Sequence, residues 1–258
     1  AKMSMQLVLF LNMLVLAHLL SKEDFGVVGM AAIVTVAITM VNDKGLGMSI
    51  IQKKNVLPTE LSSMFWGSVL FGLVLTVITI LLSFPAALYF KKPIVQSVFT
   101  VQALCFLVGG FGIVQKSLLT KEMEFKQLAI IEIIAVLIHG VVSIVLAFLG
   151  FGVWSIVLGI LLRDILTVLF LWIFCSWRPK FHFSWIEFKR YLGFSSAVLS
   201  NDVAIYATTN ADVTIIGRVL GAELLGVYTF ALYLVKLPVT RLSAIVSKVV
   251  FPALSLIQ

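Results

Sequence analysis

The sequence predicts an all-α protein, a polytopic membrane helix bundle of about eight transmembrane helices organised around an internal parallel repeat. Three observations lead there. First, 61% of the 258 residues are hydrophobic and only 12% are charged, with a mean hydropathy of +1.13. Soluble domains carry about 25% charged residues, and a water-facing surface could not be covered with so few. Second, the apolar residues fall in blocks of about 20, the length that crosses a bilayer as a helix. The short alternating strands of an outer-membrane barrel are absent. Third, residues 20–31 and 220–231 share the pattern L-x2-E-x2-G-V-x3-A. Leu20, Glu23, Gly26, Val27 and Ala31 recur as Leu220, Glu223, Gly226, Val227 and Ala231. Duplicated halves are a common architecture of membrane transporters, with the substrate path between them.

The helices follow from the apolar blocks. The first is expected over residues 5–20, followed by a turn at Ser21–Gly26. The second covers 27–51, and a polar loop with Pro58 spans 52–60. The third covers 64–90, with a bend expected at Pro85, and Lys91-Lys92-Pro93 ends it. The fourth is expected as one helix over 95–119, and the charged loop 120–126 follows. The fifth covers 128–149, and Gly150-Phe151-Gly152 makes a tight turn. The sixth covers 153–175. Residues 176–190 form the longest loop. The seventh and eighth helices are expected over 191–217 and 227–250.

The loop cations set the orientation. Lys2, Lys53, Lys54, Lys116, Lys121, Lys126, Arg178, Lys180, Lys189 and Arg190 fall on one side, and Lys22, Lys91, Lys92 and Arg218 on the other. The richer side is expected to be cytoplasmic, so the N-terminus starts inside. The repeat agrees independently. Six helices separate its copies, an even number, so both copies sit on the outer face as parallel repeats. The chain begins at Ala1 without an initiator Met and stops at Gln258, soon after the second copy. We expect a truncated chain, with no recognisable signal peptide.

Several function classes are excluded. The net charge of +7 could suggest nucleic acid, but the basic residues serve as topology determinants in short loops, so no nucleic-acid partner is expected. Cys105 and Cys175 have no metal or redox spacing. No phosphate-binding loop, catalytic carboxylate set or soluble domain is present, so neither an enzyme nor a cofactor is expected. Gly109-Gly110-x-Gly112 lies mid-span with no strand before it and reads as small residues for helix packing. The loop 176–190 mixes Trp177, Phe181, Phe183 and Trp185 with Arg178, Lys180, Lys189 and Arg190, a composition suited to the lipid headgroup layer. Two readings stand for it: a plain connector at the interface, or a hinge touching the lipid part of a substrate.

A charge at the bilayer centre costs about 2.5–3.5 kcal/mol on insertion scales, so such residues tend to face a bundle interior or watery cavity. The seventh helix is the least lipid-like. Ser195, Asp202, Tyr206 and Thr209 follow a near-heptad spacing and share one face. That face is either a cavity wall or a surface buried by hydroxyl and amide hydrogen bonds. Lys236 lies near mid-depth of the eighth helix. Pro238 should kink the helix just beyond it, and Arg241 lies one turn deeper. Together the two cations could bind an anionic group such as a pyrophosphate, or form an ion pair with Asp202. Arg163 is another candidate cavity cation. Arg163 and Asp164 are neighbours and point about 100° apart on a helix, so each is expected to find its partner elsewhere. Glu132 is expected to reach water at the cytoplasmic end of its helix. His139, at mid-depth, is either a titrating group in a proton-coupled cycle or a hydrogen-bonded packing residue.

Six runs resemble one family in order along the chain: Leu20-Ser-Lys-Glu-Asp-Phe-Gly26, Asp43-Lys-Gly-Leu-Gly47, Gly152-Val-Trp154, Trp177-Arg-Pro179, Asn210-Ala-Asp-Val-Thr-Ile-Ile-Gly-Arg-Val-Leu-Gly221 and Phe251-Pro-Ala-Leu-Ser255. They resemble the polysaccharide (O-antigen, Wzx-type) flippases of the multidrug/oligosaccharidyl-lipid/polysaccharide exporter superfamily. The resemblance implies a V-shaped bundle of two six-helix lobes. Residues 1–175 would be the N-terminal lobe, 176–190 a cytoplasmic interfacial linker, and 191–258 the first two helices of the second lobe. It also implies transfer of undecaprenyl-pyrophosphate-linked oligosaccharide across a bacterial inner membrane, in lipopolysaccharide or other surface polysaccharide biosynthesis, with a polysaccharide polymerase as a partner. Arg163, Lys236 and Arg241 would attract the pyrophosphate. Tyr206, Thr209 and their neighbours would meet sugar hydroxyls, and Asp202 and His139 would serve ion coupling.

The alternatives are a cation-coupled multidrug antiporter of the same architecture, a membrane scaffold without transport activity, and a membrane acyltransferase or polymerase. The mid-span cations disfavour the first, the polar seventh helix the second, and the lack of a catalytic His or acidic cluster the third.

Overall fold

The computed structural model describes residues 2–32, 46–53, 56–185, 188 and 210–235. All regular structure among them is helical. In chain order the helices are α1 (Lys2–Leu19), α2 (22–32), α3 (Leu46–Gln52), α4 (Pro58–Phe90), α5 (Pro93–Gly110), α6 (Ile113–Lys121), α7 (Phe125–Phe148), α8 (Val153–Phe174), α9 (Ala211–Val219) and α10 (Gly221–Val235). The helices α4, α5, α7 and α8 are long and apolar enough to cross a membrane. The protein is a polytopic helical membrane protein.

The core is built of apolar clusters around residues such as Met30, Phe65 and Val157, but α4 turns a small, polar stripe inward and its large apolar residues outward. On α4, Ser68, Gly72, Thr76, Thr79 and Ser83 are buried, while Leu70, Leu73, Val77, Leu81 and Leu88 are exposed. Lipid tails are as apolar as leucine, so burying leucine gains little there. Close packing and interhelical hydrogen bonds take over. The small stripe lets α5 approach α4 closely. A Cβ on Gly72 would meet the Phe106 carbonyl oxygen at 2.5 Å, and one on Gly110 would meet the Ser68 carbonyl oxygen at 2.8 Å. Thr76 Oγ1 donates both to its own helix at Gly72 O (2.8 Å) and across to Ala103 O (2.9 Å). The remaining packing sets α7 on α8, α1 on α7, and α5 on α8.

The fourth span is not one helix. It breaks at Phe111 and Gly112 into α5 and α6. The triple-glycine run is therefore a breaking point as well as a packing surface. A break inside hydrocarbon needs partners for the carbonyls it releases. Ser68 Oγ donates to Gly110 O (2.8 Å), and Trp172 Nε1 donates to Phe111 O (2.9 Å). The third span starts earlier than expected, at Pro58, because Glu60 accepts the Leu57 N–H (3.1 Å) and pairs with Lys53 (2.6 Å). It continues as helix through Pro85.

The repeated segments are also helical where a turn was expected. Ser21 and Asp24 form a capping box for α2. Ser21 N donates to Asp24 Oδ2 and Asp24 N to Ser21 Oγ, each at 3.1 Å. Asp24 Oδ1 additionally accepts the Val153 N–H (3.0 Å), the first free donor of α8. Gly150 and Gly152, with φ of 79° and 53°, make the turn that presents it.

The two copies of the repeat, on α2 and α10, pack on each other reciprocally. Gly26 lies against the carbonyl of Ala222, and its counterpart Gly226 lies against the carbonyl of Lys22. Residues 22 and 222 are themselves counterparts, so one contact is made twice. Gly29 faces its own counterpart, Thr229, with an added Cβ 2.9 Å from Thr229 Cγ2. Exchange of partners in this way is the mark of a two-fold relation. The contacts join each residue to its counterpart or to a position one turn either side, which two helices running in the same direction produce. The parallel sense of the repeat was expected from helix parity.

The linker is docked rather than loose. Lys180 N donates to Ser62 Oγ (3.2 Å), Ser184 N to Ser63 Oγ (3.0 Å), and Trp66 Nε1 to Lys180 O (2.9 Å). Phe181 stacks on Trp66 with ring centroids 5.4 Å apart. Arg178 donates to the carbonyls of Trp172 and Cys175, closing the C-terminal end of α8.

Asp24→Ala removes the α2 capping box and the α8 donor's partner together. We expect a loss of about 1–2 kcal/mol, read as a lower thermal midpoint of the detergent-solubilised protein. Asp24→Asn should recover much of it, since a side-chain carbonyl still accepts.

Candidate functional site

A partly open cleft of about 280 Å³ lies between α1, α7, α8 and the α5–α6 break. Its ionisable lining is Lys116, Glu132, Arg163 and Asp164. Helical spacing places these groups. Gly159, Arg163, Thr167 and Leu171 repeat every four residues along one face of α8, and the last three reach the cleft. Glu132, Val136, His139 and Ser143 run along one face of α7. The first two line the cleft, and the other two are buried beyond it.

Arg163 stands where a cavity cation was expected, but it is paired differently. Its Nε and Nη2 both donate to Asp164 Oδ1, at 3.0 and 2.9 Å. Adjacent residues do leave a helix about 100° apart. The arginine stem is long enough to curl back over its neighbour, which the expectation of partners elsewhere overlooked. Those bonds use two of five guanidinium N–H groups, and the side chains remain 27% and 22% exposed. The pair therefore keeps donors available to an incoming anion.

Glu132, expected to reach water, is half-buried and lines the partly open cleft with Arg163. Lys116, read from the sequence only as a topology cation, lines it too. The described lining thus holds two cations and two anions. Its charge is balanced, and net positive character would have to come from other segments. Asp202, Tyr206, Thr209, Lys236 and Arg241 lie outside the described residues.

His139 does not line the cleft. It is buried, with Nδ1 3.3 Å from Ser143 Oγ, and its ring lies against Gly159 of α8. Asn12 of α1 packs beside Gly140 on the same stretch of α7, with its Oδ1 buried and making no hydrogen bond among the described residues. A polar seam therefore joins α1, α7 and α8 beyond the cleft. Asn12 was missed in the sequence because a single amide in an apolar helix carries no spacing signal. Gly159 makes the seam possible. A Cβ there would collide with Ser143 Oγ and lie 2.8 Å from His139 Nδ1.

Among the described residues no group of three or more His, Cys, Asp or Glu is placed to hold a metal ion. Cys105 and Cys175 are buried free thiols.

Residues 15–258 match the sequence model of a family described as "Polysaccharide biosynthesis protein". The chain is 30% identical over 255 residues to a Klebsiella pneumoniae protein described as "Uncharacterized membrane protein in cps region", covering 96% of this chain and 52% of that protein. It is 28% identical over 249 residues to the "Lipopolysaccharide biosynthesis protein WzxC" of Escherichia coli K12, covering 96% and 51%. It is 25% identical over 243 residues to the "Succinoglycan biosynthesis transport protein ExoT" of Rhizobium meliloti, covering 94% and 49%. The chain spans about half the length of these relatives. No solved structure matches it.

Gly159→Ala should destabilise the α7–α8 contact by about 1–3 kcal/mol through overpacking. Ser143→Ala combined with it should recover part of that loss. Thermal unfolding of the two variants and their combination, read as a double-mutant cycle, checks both.

Proposed function

The chain belongs to this polysaccharide biosynthesis family, of the Wzx type, and on that premise we propose that it exports lipid-linked oligosaccharide for cell-surface polysaccharide. The observation that carries the reading is Arg163, partly exposed in a partly open cleft between α1, α7, α8 and the α5–α6 break. A phosphate headgroup suits that site. Arginine presents a planar fork of donors matched to phosphate oxygens, and Asp164 holds the fork in place while leaving donors open. The lipid tail stays in the bilayer while the polar head crosses. Lys236 and Arg241 supply the positive balance that the described lining lacks. Asp202 and the face carrying Tyr206 and Thr209 meet sugar and a coupling ion. His139, buried behind the cleft with Ser143 and Asn12, couples through the packing of α7 on α8 rather than by touching substrate. The chain acts as a transporter, not an enzyme.

The carrier is undecaprenyl pyrophosphate, and the membrane is a bacterial inner membrane with the N-terminus inside. A polysaccharide polymerase acts next on the exported unit. Transport alternates between inward and outward states, and any ion coupling requires binding free energies that differ between them.

Arg163→Ala and Lys236→Ala in the chromosomal gene should each lower surface polysaccharide roughly tenfold or more, the loss expected when a charged hydrogen bond of about 1.5–3 kcal/mol is removed. Lys91→Gly, at an exposed left-handed helix cap far from the cleft, should leave it unchanged. Polysaccharide at parental levels in both cavity variants, with protein levels matched by immunoblot, would rule the cationic path out. A changed resistance to cationic dyes instead would favour the drug antiporter.

A further inference from the structure

The basic, aromatic run after α8 sits at a depth that α4 defines. Within α4 the exposed large apolar residues begin at Leu70 and end at Tyr89. That stretch is about 29 Å long at 1.5 Å per residue, the thickness of a bilayer's hydrocarbon core. Trp66 stands one turn before Leu70, about 6 Å beyond the hydrocarbon and so in the headgroup layer. Its end of α4 is on the side rich in Lys and Arg, which is expected to face the cytoplasm.

The run is pinned at Trp66. The Lys180 carbonyl accepts from Trp66 Nε1 (2.9 Å) and from the His182 N–H (2.8 Å). The second bond closes a three-residue turn with Phe181 at its tip. Phe181 stacks on Trp66, yet it is 97% exposed. Lys180 and His182 flank it and are exposed too. Phe183 and Trp185 follow, exposed beside the buried Phe188. Such a row of rings is unfavourable in water and suits the headgroup layer, where an amphipathic ring is half-covered.

The charge around these rings has one sign. Residues 176–185 include Arg178, Lys180 and His182 and no acid. Arg178 is committed to the carbonyls of Trp172, Cys175 and Trp177. The side chains of Lys180 and His182 make no hydrogen bond among the described residues. Glu60, the acid in the adjoining first turn of α4, is buried and paired with Lys53 (2.6 Å). An ammonium and an imidazole N–H on either side of an exposed ring match a lipid phosphate. The donors meet its oxygens, and the ring lies where headgroup and acyl chains join.

We infer that this turn is a binding site for the phosphate of an anionic phospholipid in the leaflet it faces. Lys180 and His182 are its donors, and Phe181 is its wedge into the headgroup layer. The inference stands apart from the transport reading, since it needs only the depth of Trp66 and the charge of the turn. The bonds to Trp66, Ser62 and Ser63 make the site part of the bundle, so the lipid is held at one place on the start of α4.

Native mass spectrometry of the detergent-solubilised protein tests it, with phosphatidylglycerol and phosphatidylcholine titrated separately. Phosphatidylglycerol is expected to bind the wild type more tightly. A Lys180→Gln/His182→Gln variant should weaken phosphatidylglycerol about fivefold or more and leave phosphatidylcholine unchanged. Lys91→Gly, which removes a cation at the other end of α4, should weaken neither. Equal binding of the two lipids to the wild type overturns the proposal. So does a double variant that keeps its preference, or one that loses both lipids alike. An equal loss of phosphatidylglycerol in Lys91→Gly makes it an effect of net charge and overturns the site as well. Should the double variant unfold at a lower temperature than the parent in detergent, Lys180→Gln alone decides by the same readings.

Discussion

Close approach of one backbone to another, through glycine, serine and threonine, is the contact on which this bundle rests. Gly72 and Gly110 bring α4 and α5 together, Gly159 brings α8 onto α7, and Gly26 and Gly226 bring the repeats together. The reason lies in the solvent. Lipid gives little gain for burying Leu81 or Leu88, so they stay outside, and at the helix contacts of α4 small residues allow close approach or share a hydrogen bond beside apolar clusters such as Phe65, Met64 and Val114. Thr76 does both at once, bonding its own helix and the neighbouring one.

The same solvent explains how the site is positioned. A break at Phe111 and Gly112 opens the wall of the cleft. Ser68, shared with its own helix at Phe65 O, and Trp172 take up the released carbonyls, as a break within a membrane span requires. Trp172 lies one residue beyond Leu171 of the cleft lining, and Ser68 belongs to the small stripe of α4. Packing residues and cleft-forming residues are thus parts of one arrangement. Arg163 and Asp164 extend it. Each ion is tolerable at depth because the other neutralises it, yet both keep some contact with the cleft.

Much of this was legible in the chain, and the misses share a cause. Apolar blocks located the helices α1, α4, α7 and α8, and the repeat pointed to the related segments on α2 and α10. The residues around Arg163, Glu132 and Gly109–Gly112 were singled out, but their roles shifted. The glycine run packs helices and also breaks one. Glu132 lines the partly open cleft, which its position near the helix end does not reveal. Arg163 and Asp164 hold each other although they leave the helix about 100° apart. The capping box of Ser21 and Asp24 was readable, since serine followed three residues later by an acid marks a helix start. The polar run Ser21–Asp24 between two apolar blocks also fits a turn, and sequence alone does not separate the two.

The sequence by itself determined that this protein lives in a membrane, where its first, third, fifth and sixth helices run, and that a segment near its start returns two hundred residues later; most of the second, seventh and eighth expected helices lies outside the described residues. Those properties depend on composition, block length and recurrence, which are local or additive along the chain. Only the tertiary structure decided that the two copies touch through reciprocal glycines, that α5 ends at a break closed by Ser68 and Trp172, and that Arg163 folds onto Asp164 in a cleft shared with α1 and α7. Each depends on distances between helices far apart in sequence, and on which small residue happens to face which carbonyl. No spacing along a single helix contains that information.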